Sequence, residues 1–212
     1  MQCPLCFQEE TELYHQDKAR SYHRCLVCNL VFVPRKYFLS VKDEKARYDL
    51  HENESSNDGY KQFLSQLVKP MLQYLKSGDL GLDFGSGPEP VLASLFDSRS
   101  LKVEFYDPFY ANKPEVLNRH YNFITATEVV EHLHRPKEEL ERLWSCVRPG
   151  GFLGIMTQLW CEQSSFSQWS YKDDISTDVR FAVPHASKEK TLNDINVEVE
   201  LGFDEKLAFD ET

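Results

Sequence analysis

The hydrophobic positions of this chain change period several times, and each change marks an element. From Leu80 the order Leu-Gly-Leu-Asp-Phe is the short apolar run of a strand buried on both faces. It breaks at Gly85-Ser86-Gly87, after which Val91, Leu92, Leu95 and Phe96 recur at helical spacing. Leu101-Lys-Val-Glu-Phe-Tyr106 reads as a second strand, Tyr121-Asn-Phe-Ile-Thr-Ala126 as a third and Phe152-Leu-Gly-Ile-Met-Thr157 as a fourth. Pro136 is placed to open a helix with the apolar face Leu140, Leu143, Trp144 and Val147, which Arg148-Pro-Gly-Gly151 stops. Upstream, Phe63, Leu64, Leu67, Val68, Met71, Leu72 and Leu75 mark one face of a helix from about Tyr60 to Lys76. Asp58 caps it, Pro70 bends it and Ser77-Gly78 ends it. Strands alternating with helices predict an α/β fold around a parallel sheet. Ahead of it, Tyr22 to Val33 forms a hairpin ending at Pro34, and residues 35–59 read as a polar connection. Asn196–Leu201 and 206–209 are expected to close the chain as an antiparallel hairpin.

Composition narrows the class. With 212 residues, 41% hydrophobic and 27% charged, the chain has room for one full core and a small appendage. No apolar run approaches the ~20 residues that span a bilayer. Cys3 and Cys6 stand where a signal peptide would need a basic flank and an apolar stretch, so a cytoplasmic location without membrane association is expected. A net charge of −10, a pI near 5.2 and the lack of any Lys/Arg run argue against a nucleic-acid partner. The acidic end, with Glu198, Glu200, Asp204, Glu205, Asp210 and Glu211, reads as a solvated edge.

The cysteines add chemistry. Cys3/Cys6 and Cys25/Cys28 are two C-x2-C pairs about 18 residues apart. Thiolates three positions apart on a tight turn face one metal ion, and two such turns complete a tetrahedral Zn2+ site. Four thiolates leave no open position, so the predicted zinc is structural, in a ribbon over residues 1–36. His15 and His23 then read as ordinary surface residues, and Cys146 and Cys161 as isolated buried thiols.

Strand, glycine turn and helix at 80–96 place backbone N–H groups around a ligand. Glu89 stands near where the dinucleotide fingerprint needs a third glycine, so NAD fits poorly. Asp107, before Pro108, lies about 24 residues past Asp83, where an α/β nucleotide fold holds ribose hydroxyls with an acid.

Asp83, two residues before Gly85-Ser86-Gly87, resembles the acid of motif I in class I S-adenosylmethionine (SAM) methyltransferases. TEVVEHLHRP at 127–136, a helix, then VRPGGFLGIMT at 147–157 is similar to the block that follows motif II in that family. With the four-cysteine ribbon, the resemblance covers most of residues 1–160 and identifies a zinc-ribbon class I methyltransferase. It implies a Rossmann-like sheet in a SAM-binding domain over 60–212, with Asp83, Gly85, Ser86, Gly87, Asp107, Pro108 and Glu128 at the cofactor. Residues 37–59 form a linker, or a lid by the spacing of Glu44, Tyr48, His51, Asn53 and Gly59-Tyr60.

Three positions depart from the family. Glu89 replaces a motif I glycine. About 14 residues separate Asp107 from Tyr121, too few for the usual helix and strand beside adenine, which leaves Phe109 and Tyr110 to build that pocket. Phe166-Ser-Gln-Trp169-Ser-Tyr171, Asp174 and Phe181 resemble a W-x-Y-x-x-D-x-T-H-x-x-F stretch, but Ser176-Thr177-Asp178 stands where Thr-His is expected.

The implied reaction is in-line transfer of a methyl group from a sulfonium, in which alignment and a dry site matter most. His132 is the candidate general base, with Glu128 and Glu131 near enough to orient it. Trp160 and Trp169 are candidate walls of an acceptor pocket. A small-molecule acceptor is the leading expectation. The alternatives are an rRNA or tRNA base methyltransferase and a non-catalytic relative that binds SAM or a partner.

Overall fold

A computed structural model describes residues 1–50, 58–96, 100–158, 174–180 and 196–201, with backbone only at 180 and 196–201. The chain divides into two compact units. The first comprises Met1–Glu52, Glu128–Leu140 and Thr157–Asn196; the second comprises Asn53–Thr127, Glu141–Met156 and Val197–Thr212.

The second unit holds the predicted parallel sheet. β4 (Leu80–Phe84) pairs in parallel with β5 (Lys102–Tyr106) on one side and β6 (Tyr121–Thr127) on the other. β7 (Val147–Thr157) adds parallel to β6, and β9 (Asn196–Leu201) follows, so the order is β5-β4-β6-β7-β9. The apolar runs of β4 and β6 suit their central places, because a central parallel strand is covered on both faces. A Cβ on Gly81 would overlap the Phe123 ring, which itself packs on Phe96 at 4.9 Å. α3 (Val91–Phe96) supplies Phe96 and returns the chain from β4 to β5.

α2 (Asp58–Met71) buries Leu64, Leu67, Val68 and Met71, as its periodicity predicts. A Cβ on Gly154 would sit 2.7 Å from the Met71 sulfur, so this glycine lets the helix approach β7. The helix starts at Asp58 and ends at Met71, shorter than expected at its C-terminus. Pro70 lacks the N–H that would tie the last turn to the one before, and the chain goes on in turns that still bury Leu75. β7 is longer than expected. Arg148-Pro-Gly-Gly151 does not precede the strand but is taken into it as an irregularity, since Tyr121 pairs with Val147 while Phe123 pairs with Phe152. Gly150, at φ 75°, makes that detour possible.

The first unit is built on an antiparallel sheet, β1 (Thr11–Gln16), β2 (Ser21–Cys25), β3 (Val31–Phe32) and β8 (Val179–Arg180), in that order. Alternation sorts its two faces. Val31 and Val33 join Tyr14 and Tyr22 on one, while Leu30 and Phe32 join Cys3, Cys25 and Val179 on the other. α1 (Val41–Tyr48) occupies part of the expected connection; Ser40 caps it by accepting from the Asp43 N–H. α4 (Pro136–Ser145) begins at the predicted proline in the first unit, and its second half, with the buried Leu143, belongs to the second. No described helix is long and apolar enough to cross a membrane.

Candidate active site

In the second unit, the connection after β4 leads to β5 and the connection after β5 returns to β6 on the opposite side of β4. The crevice at the carboxyl ends of β4 and β6 is therefore a switch point of the sheet, where open α/β sheets bind ligands. Asp83, Gly85, Ser86 and Thr127 line a cleft there with Tyr60, Leu64, Val91 and Leu92. Gly85 and Gly87 sit at φ 79° and 67°, where a side chain would be strained. The Thr127 hydroxyl is buried and has no hydrogen-bond partner among the described residues.

Asp83 is the charged feature of this cleft. Burial pushes its pKa up to about 7, with Asp107 adding to the rise and the Thr125 hydroxyl, donating at 3.0 Å, opposing it. Asp107 directly follows β5 and is 7% exposed. One carboxylate oxygen accepts from the Gly87 N–H at 3.0 Å, the other from Phe109 and Tyr110 at 2.8 and 3.1 Å. The side chain thus ties the glycine turn to the β5 end. A carboxylate offers about four acceptor positions, and these three donors leave one for a hydroxyl. Pro108 and Glu89 are exposed, and Phe109 and Tyr110 half-buried.

The first unit gathers a second polar cluster. Beyond β6, Glu128 takes φ 53°, a left-handed conformation uncommon for a residue with a Cβ. The turn after it, Val130–His132, buries Glu131, whose carboxylate accepts from Thr157 at 2.9 Å and whose carbonyl accepts from the Asp178 N–H at 2.9 Å. His132 Nδ1 lies 2.9 Å from the Ser176 carbonyl oxygen. The Tyr48 ring meets the imidazole edge-on at 5.4 Å, and its hydroxyl donates to Glu44 at 2.9 Å. Tyr48 on α1 therefore reaches His132, with Glu44, one turn earlier, holding its hydroxyl. Burial would raise Asp174, but hydrogen bonds from the Ser176 side chain and N–H, with the charges of His132 and Arg47, hold it below the usual range. His134 Nε2 lies 3.1 Å from Asp178 and stacks flat on Phe38 at 4.4 Å. Its pKa is raised, chiefly by the hydrogen bond to Asp178.

The four cysteines converge as their spacing predicts, with all sulfurs within 4.8 Å of one another and no disulfide among them. The two turns repeat each other. Phe7 donates to the Cys3 carbonyl and Asn29 to that of Cys25; Phe7 and Asn29 stand at φ 62° and 60°. Cys3 and Cys25 in turn donate to Gln8 and Leu30. Cys3 is lowered to about 5, chiefly by a hydrogen bond with Cys28, which the same contact pushes up. His15 and His23 are half-buried rather than on the surface, and burial lowers the pKa of His23. Cys146 is buried and donates to the Leu117 carbonyl.

Arg20, His134 and the hydrogen-bonded role of Asp178 escaped the sequence reading. Their partners lie far along the chain, and no local pattern announces them. His51, Asn53, Trp160, Cys161, Phe166, Trp169, Tyr171, Phe181 and the 206–209 half of the closing hairpin lie outside the described residues.

Among solved structures, a SAM-dependent methyltransferase from Archaeoglobus fulgidus is similar over 59% of this chain and 63% of its own, with 17% identity and a TM-score of 0.44. An O-methyltransferase family protein from Burkholderia thailandensis is similar over 76% and 62%, with 13% identity and a TM-score of 0.46. This chain spans less than two thirds of either. No curated protein matches it in sequence. The profile described as "Methyltransferase domain" matches residues 57–194, more than half of the chain, and the chain belongs to that methyltransferase family.

Proposed function

We propose that this chain transfers a methyl group from SAM to a small-molecule acceptor and carries a structural zinc ion. The observation that carries the reading is the convergence of Asp83, the glycine turn and the Thr127 hydroxyl, which has no partner among the described residues, at the switch point of the parallel sheet. The residues fit the cofactor. A buried carboxylate with a raised pKa gains most from a cationic ligand, and a buried hydroxyl without a partner needs a polar one. Bound there, SAM supplies a methyl group on a positively charged sulfur that is already a strong electrophile.

The chain's own residues then have separable tasks. Asp83 neutralises the positive end of the cofactor, and Gly85, Ser86 and Gly87 let the backbone approach it. Asp107, with Pro108 shaping the turn, would take a ribose hydroxyl on its remaining acceptor position. Phe109 and Tyr110 offer faces for the adenine ring, and Glu128 is held just beyond β6 by its left-handed backbone. His132 is the base. A carbonyl oxygen only accepts, so the bond to Ser176 puts a proton on Nδ1 and makes Nε2 the nitrogen that takes one from the acceptor.

The cysteines suit zinc equally well. Zn–S bonds of about 2.3 Å in a tetrahedron set sulfurs about 3.8 Å apart, and the four lie within 4.8 Å. Cys3, Cys6, Cys25 and Cys28 would hold the ion and leave it no position for chemistry.

Incubation with methyl-labelled SAM and either a panel of small metabolites or bulk tRNA and rRNA tests the acceptor class. Label is expected in the small-molecule fraction, and His132→Gln is expected to slow its transfer by about 10²–10⁴-fold. Label entering RNA instead would overturn the small-molecule reading.

A further inference from the structure

The five carbonyl groups of residues 174–178 are all accounted for within the first unit, and the pattern is uneven. The Arg20 guanidinium donates to three of them. Its Nη2 reaches the Asp174 oxygen at 2.7 Å, and its Nη1 reaches those of Ile175 and Thr177 at 3.0 and 3.1 Å. The Asp178 oxygen accepts from Val33 N–H at 2.9 Å, continuing the pairing of β3 with β8. Only the Ser176 oxygen is turned elsewhere, onto His132 Nδ1.

Arg20 is equipped to impose that pattern. It is 4% exposed, and its Nε donates to the Tyr22 hydroxyl at 2.8 Å, which donates in turn to Asp17 at 3.0 Å. Asp17 also accepts from the N–H groups of Ala19 and Arg20, so the fork is fixed at its base by the β1–β2 turn. On the far side, Asp174 accepts from the Ser176 N–H and hydroxyl at 2.9 and 2.7 Å. This closes a local turn that presents the Ser176 carbonyl outward. The rigid planar fork of arginine suits several fixed acceptors at once, where the single point charge of lysine does not.

We infer that Arg20 is the positioning residue of His132. By gripping the carbonyls on either side of Ser176, it aims the one between them at Nδ1 and fixes the tautomer that leaves Nε2 as the base. The hairpin unit that carries the cysteines thereby gains a task in the reaction: it holds the segment that orients the imidazole. This rests on the reading of His132 as the base. It goes beyond that reading in assigning the cause of the tautomer to a residue more than a hundred positions earlier in the chain.

The test is the tautomeric state of His132 in the full zinc-loaded protein. It is read from long-range 1H–15N correlations of 15N-histidine-labelled samples, with His132→Gln identifying the signal. The wild type is expected to show the Nδ1–H form. In Arg20→Gln the ratio of Nδ1–H to Nε2–H should fall about tenfold, the size of one hydrogen bond of about 1.4 kcal/mol. Arg20→Lys should fall between the two, and SAM affinity by calorimetry should stay within twofold of wild type in both. If Arg20→Gln does not fold, the Arg20→Lys ratio decides. An unchanged Nδ1–H population in a folded Arg20 variant overturns the proposal while leaving His132 as base. An Nε2–H tautomer in the wild type overturns the base assignment itself.

Discussion

Asp83 shows what the candidate cleft costs the ligand-free protein. Its pKa, raised by burial to about 7 against ~3.9 in an unfolded chain, means that the folded state binds a proton more tightly than the unfolded state. Stability is therefore lost as pH rises from about 4 to about 7 and is level above that. Asp83→Asn, which keeps an acceptor for the Thr125 hydroxyl, should melt above the wild type at pH 8, with the gap closing towards pH 4. Thermal melts across that range check it, and a gap independent of pH would contradict it. His134 works in the opposite sense. Asp178 raises its pKa, so the pair's contribution is complete below about pH 6.5 and is lost as pH rises through the elevated value. With a side chain 38% exposed, the effect is expected below about 1 kcal/mol. His134→Gln should remove that slope without moving the Asp83 one, as melts of the two variants over pH 5–9 would show.

At the scale of elements, what could be read from the chain follows from how local each cause is. The strands at 80–84 and 121–127 were legible because burial on both faces leaves an apolar run, and the edge strand at 102–106 because Val103, Phe105 and Tyr106 stand out between charged residues. α1 was missed because its residues 41–48 carry no apolar stripe; only Ser40 followed by Asp43 and Glu44 signalled its start. β8 is two residues long, shorter than any period, and pairs with Val31 and Phe32 far earlier in the chain. The cysteine turns were legible because metal spacing is local, and their left-handed Phe7 and Asn29 show what the geometry demands of the backbone. Such strain persists only where the surroundings over-determine it. With zinc held by the cysteines as proposed, removing it should therefore undo the hairpins. Purified protein is expected to carry one zinc per chain by elemental analysis, and Cys25→Ser to lose it. Tyr14 and Tyr22 should then become accessible to solvent by near-UV absorbance. Full burial of both tyrosines in a metal-free sample would contradict the structural role.

At the scale of the whole molecule, the chain alternates between its two units, leaving the parallel sheet after Thr127 and returning at Glu141. That arrangement could not be read from the sequence, because the pieces of the first unit pair with partners far along the chain, as Val31 and Phe32 do with Arg180 and Val179. It places the candidate groups in different units. The switch point of the sheet, with Asp83 and Asp107, belongs to one, and the imidazole of His132, with Arg20 and the cysteines, to the other. The family places the chain among methyltransferases; the cofactor is the claim on which the mechanism depends. Calorimetric titration of SAM into the folded, zinc-loaded protein, beside Asp107→Ala, tests it most directly. The account predicts micromolar binding that exchanges protons with the buffer near pH 7, as the cation draws down the pKa of Asp83. Asp107→Ala should weaken it at least tenfold, about 1.4 kcal/mol. No binding by the wild type would contradict the methyltransferase mechanism proposed for this chain.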